Sequence, residues 1–446
     1  PGPWLTVSQD DVRRRQLPAP RVYWSVLAAA ARGREEPFAR GDAAALVELE
    51  RISGQAIALQ RISDVPLGAF LSGGVDSSAI AALMQAQSSR PVRTFTIGFA
   101  EAGYNEAEYA KAVARHLDTD HTELYVSPEE AQAVIPRLPV IYDEPFSDPS
   151  QIPTFLVAQL ARQHVTVSLS GDAGDELFGG YTRYVLARGL RRKLMWMPQA
   201  IRRRLAHAVG ACPPWLLNAL LLPLGAAVPY FRASQPSDKA YKAAEVLALV
   251  DDGPLLYRRL VSHWKDPSSL VLGAREPATL LDELLMNPGV ASTFEQWMMT
   301  TDTLTYLPDD ILAKVDRAAM AVSLETRVPF LDHRLVEFAL SLPLSMKIRG
   351  GQGKWLLRQM LYKYVPKTLI ERPKMGFGVP IDSWLRGPLR DWAEALLDDA
   401  RLRREGFLNP APIRRQWKEH QSGARNWQYY LWDVLMFQAW LEAEHA

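Results

Sequence analysis

The sequence predicts an α/β fold: a doubly wound, mainly parallel sheet with flanking helices, extended by a helical insert and a helical C-terminal part. Three observations carry this expectation. Short apolar runs alternate with helical patterns between residues 46 and 170, the pattern of a parallel sheet. Two of those runs end in glycine-rich loops, where ligands of such sheets bind. From about Gly189 the strand signal stops and helical, Pro-punctuated sequence continues to about residue 290.

Along the chain, Trp4-Leu5-Thr6-Val7 and Arg21-Val22-Tyr23-Trp24 read as two short strands around a polar turn. Two strands make no stable unit alone, so residues 1–45 are expected to end another domain. Asp42 to Ile62 repeats apolar residues at helical spacing. Pro66 to Leu71 is a short apolar run bounded by turn residues, a buried strand, and the Ala-rich pattern after Ser78 is a helix. Val92–Phe99 and His121–Val126 are expected strands on either side of a helix at Glu106–His116. Ile135–Tyr142 and Ile152–Arg162 fit helices, and Val165–Leu169 is a β-branched strand ending at Ser170-Gly171. Residues 291–345 are expected to be mostly helical, and the aromatics of Trp427–Leu441 to pack as core.

Composition narrows the class. With 446 residues, 48% hydrophobic and 23% charged, the chain has ample core for two to three domains. A formal charge of +1 gives no field that would favour nucleic acid or membrane. The single cysteine, Cys212, excludes a disulfide framework and a cysteine zinc site, and points to a reducing, cytoplasmic location. No signal-peptide pattern opens the sequence. The run Leu216–Phe231 is broken by Asn218, Pro223 and Pro229, too short for a membrane span. The basic clusters Arg191–Lys193 and Arg202–Arg204 read as solvated faces of an amphipathic helix pair.

The first loop is Ser72-Gly73-Gly74-Val75-Asp76-Ser77-Ser78. Its glycines allow a tight turn, so that several N–H groups can converge on one anion beside a helix N-terminus. Ser72, Ser77 and Ser78 add hydroxyl donors, a cradle suited to polyphosphate. Asp76 would repel that anion unless a divalent cation stood between them, and Mg²⁺ prefers one or two carboxylates plus phosphate oxygens. The loop is not a Walker A motif. The second loop, S-G-D-A-G-D-E-L-F-G-G-Y from Ser170 to Tyr181, brings Asp172, Asp175 and Glu176 together among small residues. By itself it fits either a metal or amino-group site, or acids complementing a helix dipole.

The first loop resembles the S-G-G-x-D-S pyrophosphate loop of the ATP pyrophosphatases, whose fold is adenine nucleotide α-hydrolase-like. S-G-G-V-D-S-S, T-F-T-I-G-F, Y-D-E-P-F, S-G-D-A-G-D-E-L-F-G-G-Y, K-V-D-R-A-A-M-A-V-S-L-E-T-R-V-P-F-L-D and R-P-K-M-G-F-G-V-P-I occur in that order. Together they closely resemble the synthetase domain of glutamine-hydrolysing asparagine synthetases. The resemblance covers residues 46–446, with the helical insert at about 189–290, and residues 1–45 resemble the last strands of that family's N-terminal glutaminase domain. It implies that ATP, Mg²⁺ and aspartate bind, that the side-chain carboxylate attacks the α-phosphorus to give β-aspartyl-AMP and pyrophosphate, and that ammonia displaces AMP. In the whole enzyme the ammonia comes from glutamine.

Carried over by position, Ser72, Gly73, Gly74, Asp76, Ser77 and Ser78 match the pyrophosphate loop, Leu71 and Ile97 the frame of the adenosine, and Ser170 and Gly171 nucleotide contacts. Asp76 and Asp175 match Mg²⁺ ligands. Asp172, at the position associated with acyl-adenylate formation, replaces the family's usual Glu, and Ala173 replaces Gly. Lys374 matches the lysine that stabilises charge near the α-phosphate, and Tyr181 the tyrosine after the acidic loop. Asp316, Arg317, Glu325, Arg327 and Lys354 fit either buried ion pairs or direct contacts. The implied partners are small molecules, with a homodimer open. The family's glutaminase nucleophile is an N-terminal cysteine; this sequence starts at Pro1, so glutamine hydrolysis is not expected of it. Three other readings compete. One is a relative that adenylates another carboxylate (β-lactam precursor, peptide or sugar acid). The second is a nucleotide-binding relative without catalysis. The third, a tRNA-modifying pyrophosphatase, is opposed by the lone cysteine and the near-neutral charge.

Overall fold

The computed structural model describes residues 2–99, 105–185, 189, 196–221, 236–249, 252–286, 289, 291–372 and 378–444. Its centre is a five-stranded, wholly parallel sheet. After the N-terminal pair β1 (Pro3–Trp4) and β2 (Arg21–Val22), the sheet strands are β3 (Leu67–Phe70), β4 (Arg93–Phe99), β5 (Asp120–Val126), β6 (Val167–Leu169) and β7 (Glu325–Arg327), in the order β5-β4-β3-β6-β7. Gly68 pairs with Arg93 on one side and Ser168 on the other. The chain runs outward from β3 to β4 and β5, then returns to build β6 and β7. The crevice where the order reverses lies between β3 and β6.

Alternation along the strands splits the core in two. Phe95, Ile97 and Phe99 face helices Gln151–Arg162 and Gln428–Glu444, where Phe155, Trp432 and Leu435 are fully buried. Ala69, Leu71 and Leu169 face helices Gly41–Gln60, Val75–Ala86 and Trp355–Leu361. The aromatic C-terminal helix is therefore core, as its pattern predicts.

Four departures from the expected elements have physical causes. The N-terminal strands are shorter than expected, and their connection holds a helix, Gln9–Arg14, fixed by a Ser8–Asp11 capping box. A further helix, Val26–Glu35, docks on His333–Ser341: Gly33 lies so close to Leu340 that a Cβ there would meet its carbonyl at 2.8 Å, and Trp24 and Arg32 both donate to Glu337 (2.9 Å). β7 was hidden within a helical expectation because it is three residues long and pairs only with β6. Arg327 serves this edge: its guanidinium donates to the carbonyls of Gln60 (2.7 Å) and Ile62 (2.9 Å) and pairs with Glu325, so neither residue touches the crevice.

The described insert residues are helical, at Gln199–Ala211, Pro214–Leu221, Pro236–Leu249, Gly253–Val261 and Leu280–Met286. Arg202 departs from a solvated face: it is buried and donates to the Met197 carbonyl (2.7 Å), whereas Arg191–Lys193 lie outside the described residues. Among the described residues no helix is long and apolar enough to cross a membrane.

One buried base sets an acid limit. His420 is wholly buried, and burial, then Arg386, pushes its imidazole down to about 4. The unfolded chain takes up this proton near pH 6.5, the native one only near 4, so this contribution to stability is present above 6.5 and lost as pH falls toward 4. The melting temperature should fall across pH 6.5 to 4.5, and His420→Gln should flatten that slope; an unchanged slope in the variant would refute the assignment.

Candidate active site

The crevice opens into a cleft of about 1020 Å³ at the carboxyl ends of β3, β4 and β6. The β3 loop turns at Gly73, whose φ of +70° favours glycine, and Val75–Ala86 begins directly after Gly74. Inside the loop, the Ser77 hydroxyl accepts from the Ser72 N–H (3.1 Å) and lies 3.0 Å from the Ser72 hydroxyl, which accepts from the Gly74 N–H (3.3 Å). Ser72, Gly73, Gly74, Asp76 and Ser77 line the cleft. Ser78 does not: it is fully buried, the Ser78 N–H donates to the Gly74 carbonyl (3.0 Å) as helix backbone, and its side chain is off the cleft wall. Leu71 and Ile97, both buried, form part of the wall.

The β6 loop packs back to back against the first. A Cβ on Gly171 would sit 2.7 Å from the Ser77 nitrogen, so no side chain fits there. The Ser170 N–H donates to the Arg327 carbonyl (2.8 Å), which ties the loop's start to β7. The Ser170 hydroxyl donates to Asp172 (2.5 Å). Deep burial pushes the Asp172 carboxyl above the usual range, against that hydrogen bond. Ala173 sits at φ +69°, a left-handed conformation that accounts for the glycine at the matching position of the resembling motif. Tyr181 lines the cleft and donates to Glu176 (2.6 Å), whose carboxyl burial pushes up to about 7.

Asp76 and Asp175, from the two loops, converge on one cation. Lys354, 6% exposed, bonds Asp76 and lies 2.8 Å from Asp175. Burial pulls its ammonium down, but Asp175 and Asp76 outweigh that and hold it above the ordinary lysine value. Its backbone is left-handed (φ +58°), and its N–H donates to the Phe178 carbonyl (2.9 Å), so the chain is bent to deliver it. Nothing in the sequence reading favoured Lys354 over neighbouring cations; its place after G-G-Q-G and before the apolar helix Trp355–Leu361 is the signal that could have found it. Among the described residues no group of three or more His, Cys, Asp or Glu could hold a metal. Two carboxylates facing one cationic position beside a phosphate-type loop nonetheless form a donor set that fits Mg²⁺ shared with phosphate oxygens.

Arg372 approaches the first loop, donating to the Ser72 carbonyl (3.3 Å) and lying 3.6 Å from Glu106. It precedes the stretch that holds Lys374, which lies outside the described residues. On the far wall, Lys314 pairs with Asp148 (2.5 Å), which Ser150 holds through its N–H (2.9 Å) and hydroxyl (2.8 Å). In K-V-D-R it is thus Lys314 that faces the cleft. Asp316 and Arg317 are exposed, and Arg317 stands 4.0 Å from Asp143, so neither makes the direct contact left open for it.

A parallel sheet with strand order β5-β4-β3-β6-β7, bearing a phosphate-type loop and an acidic loop at the reversal point, defines an α/β domain with its ligand cleft at the carboxyl ends of the strands. The chain belongs to the asparagine synthase family, whose model matches residues 48–442. It is 34% identical over 413 residues to a putative glutamine-hydrolysing asparagine synthetase of Mycobacterium tuberculosis, covering 91% of this chain and 59% of that protein. It is 30% identical over 379 residues to glutamine-hydrolysing asparagine synthetase 1 of Bacillus subtilis (85% of this chain, 56% of that one). With the human glutamine-hydrolysing asparagine synthetase it shares 24% identity over 415 residues (86% and 54%). The chain thus spans somewhat over half the length of these relatives.

Proposed function

We propose that this chain is the synthetase part of a glutamine-dependent, cytoplasmic amidotransferase that converts L-aspartate to L-asparagine with ATP. The observation that carries the proposal is the convergence of Asp76 and Asp175 on one cationic position beside the Ser72–Ser77 loop. In this reading the loop N–H groups and hydroxyls, with Lys354 and Arg372, bind the β- and γ-phosphates, and Leu71 and Ile97 frame the adenosine. Asp76 and Asp175 would hold Mg²⁺, which supplies charge neutralisation on the departing pyrophosphate. The β-carboxylate oxygen of aspartate forms a bond to the α-phosphorus as the bond to pyrophosphate breaks, giving β-aspartyl-AMP. Ammonia then attacks the acyl carbon, AMP leaves with the acyl-oxygen electron pair, and the nitrogen loses a proton. Asp172 and Lys374 are proposed to orient and stabilise the α-phosphate chemistry, and Tyr181, held through Glu176, to shape the acyl pocket. Residues 1–45 are proposed to be the end of a glutaminase domain that supplies the ammonia; the start of the family match at residue 48 supports that boundary.

The shorter acid at Asp172 and the strained Ala173 favour one second reading, a family member that adenylates a different carboxylate. Pyrophosphate release with ATP, Mg²⁺ and ammonium, compared across aspartate and a panel of other acids, separates the two. Aspartate-dependent release with asparagine as product is expected. Release with another acid alone would replace the substrate, and none with any acid would refute the synthetase reading.

A further inference from the structure

A second, smaller cavity lies behind the acidic loop, between the N-terminal helix Val26–Glu35 and helix Phe294–Leu304. Its volume of about 210 Å³ is room for roughly seven waters at about 30 Å³ each, or for one small organic ion. Lys347, at the end of the short helix Leu344–Lys347, lines it and is only 2% exposed. Burial is the sole influence on this amine, and no described residue hydrogen-bonds or ion-pairs with it. Among the described residues the other two buried lysines, both in the main cleft, each have a carboxylate: Lys314 has Asp148, and Lys354 has Asp76 and Asp175. Arg34 stands at the cavity rim, its side chain 41% exposed. Thr293, Gln296 and Thr300 add uncharged polar wall, and the one carboxylate, Glu176, already accepts the Tyr181 hydroxyl.

An apolar guest would leave Lys347 unpaired, and a cation would meet both Lys347 and Arg34. An anion supplies the missing partner. We propose that this cavity binds a small carboxylate or an inorganic monoanion of similar size, held between Lys347 and Arg34.

The site makes a pH-dependent prediction. Without an anion, burial pulls the Lys347 ammonium down to about 7. A bound anion favours the charged amine, so binding takes up a proton. Glu176, the cavity's carboxylate, is pushed by burial up to about 7, so it ionises over the same range and adds repulsion of an anion as pH rises; the helix Phe294–Leu304 presents only neutral groups to the cavity. Affinity is therefore greatest below pH 7 and falls at least about tenfold per pH unit above it.

Calorimetric titration of the whole chain with sodium acetate at pH 6.5 and 8.5, in buffers of different ionisation heat, tests this. Acetate should bind at pH 6.5 with proton uptake and weaken at least tenfold at pH 8.5. Lys347→Met should abolish binding, and the exposed-rim change Arg34→Gln, which leaves the buried site intact, should weaken it several-fold. No binding at pH 6.5, binding without pH dependence, or wild-type affinity in Arg34→Gln would each overturn the proposal.

Discussion

Asp76→Asn should cut ATP- and aspartate-dependent pyrophosphate release by about 10³-fold or more, while the protein stays folded. The geometry explains the size of the effect. Asp76 is one of two acids that converge on the cationic position beside the phosphate-type loop, and the change to Asn keeps its shape but deletes its charge. Charge on the leaving pyrophosphate would then be poorly neutralised, a loss felt most in the transition state. Lys354 keeps Asp175 at 2.8 Å, so one counter-charge survives and the fold should hold. Pyrophosphate release measured beside far-ultraviolet circular dichroism decides the matter. Retained activity in Asp76→Asn would remove Asp76 from the proposed Mg²⁺ site.

Lys354→Met should have the largest effect on stability. The substitution is close in volume but strips the ammonium from between two largely buried carboxylates. Removing one partner of such a cluster costs about 3–5 kcal/mol, because the remaining charges are left facing each other. Lys354 is held above the ordinary lysine value and is charged at every physiological pH, so the loss should not depend on pH between 6 and 9. Mg²⁺ alone, which can take the vacated cationic position between Asp76 and Asp175, should raise the melting temperature of this variant more than that of wild type. A variant as stable as wild type in metal-free buffer would show that the cluster carries no such repulsion.

The sheet and the first loop were legible because local pattern sets them. Leu67–Phe70 is apolar and flanked by turn residues, and two glycines then force a turn whatever the rest of the chain does. β7 was not legible, since Glu325-Thr326-Arg327 has no apolar run and is a strand only because β6 offers it an edge. Asp76 and Asp175 could be singled out because each sits in a distinctive motif. Lys354 could not be placed, because what defines it is a contact with Asp76 across 278 positions of sequence. Ser78 shows the opposite failure. It fits the motif as a string, but helical rotation carries it into the core one residue after Ser77 reaches the cleft. Lys314 was missed for the same geometric reason: within K-V-D-R the helix turns the lysine inward and the Asp-Arg pair outward.

The position of β7 in the chain also bears on how the protein is made. The acidic loop is pinned where Ser170 donates to the carbonyl of Arg327, and β6 gains its outer neighbour only through residues 325–327. During synthesis, β3 to β6 and the first loop emerge long before the segment that fixes the second loop. Lys354, which neutralises the two loops, comes later still. Such distant closures are slow and come late in folding. A nascent or truncated chain that stops short of residue 354 therefore has both loops but no finished cleft. The nucleotide binding proposed above would then be a property of the completed domain, absent from a nascent chain that has not yet delivered Lys354.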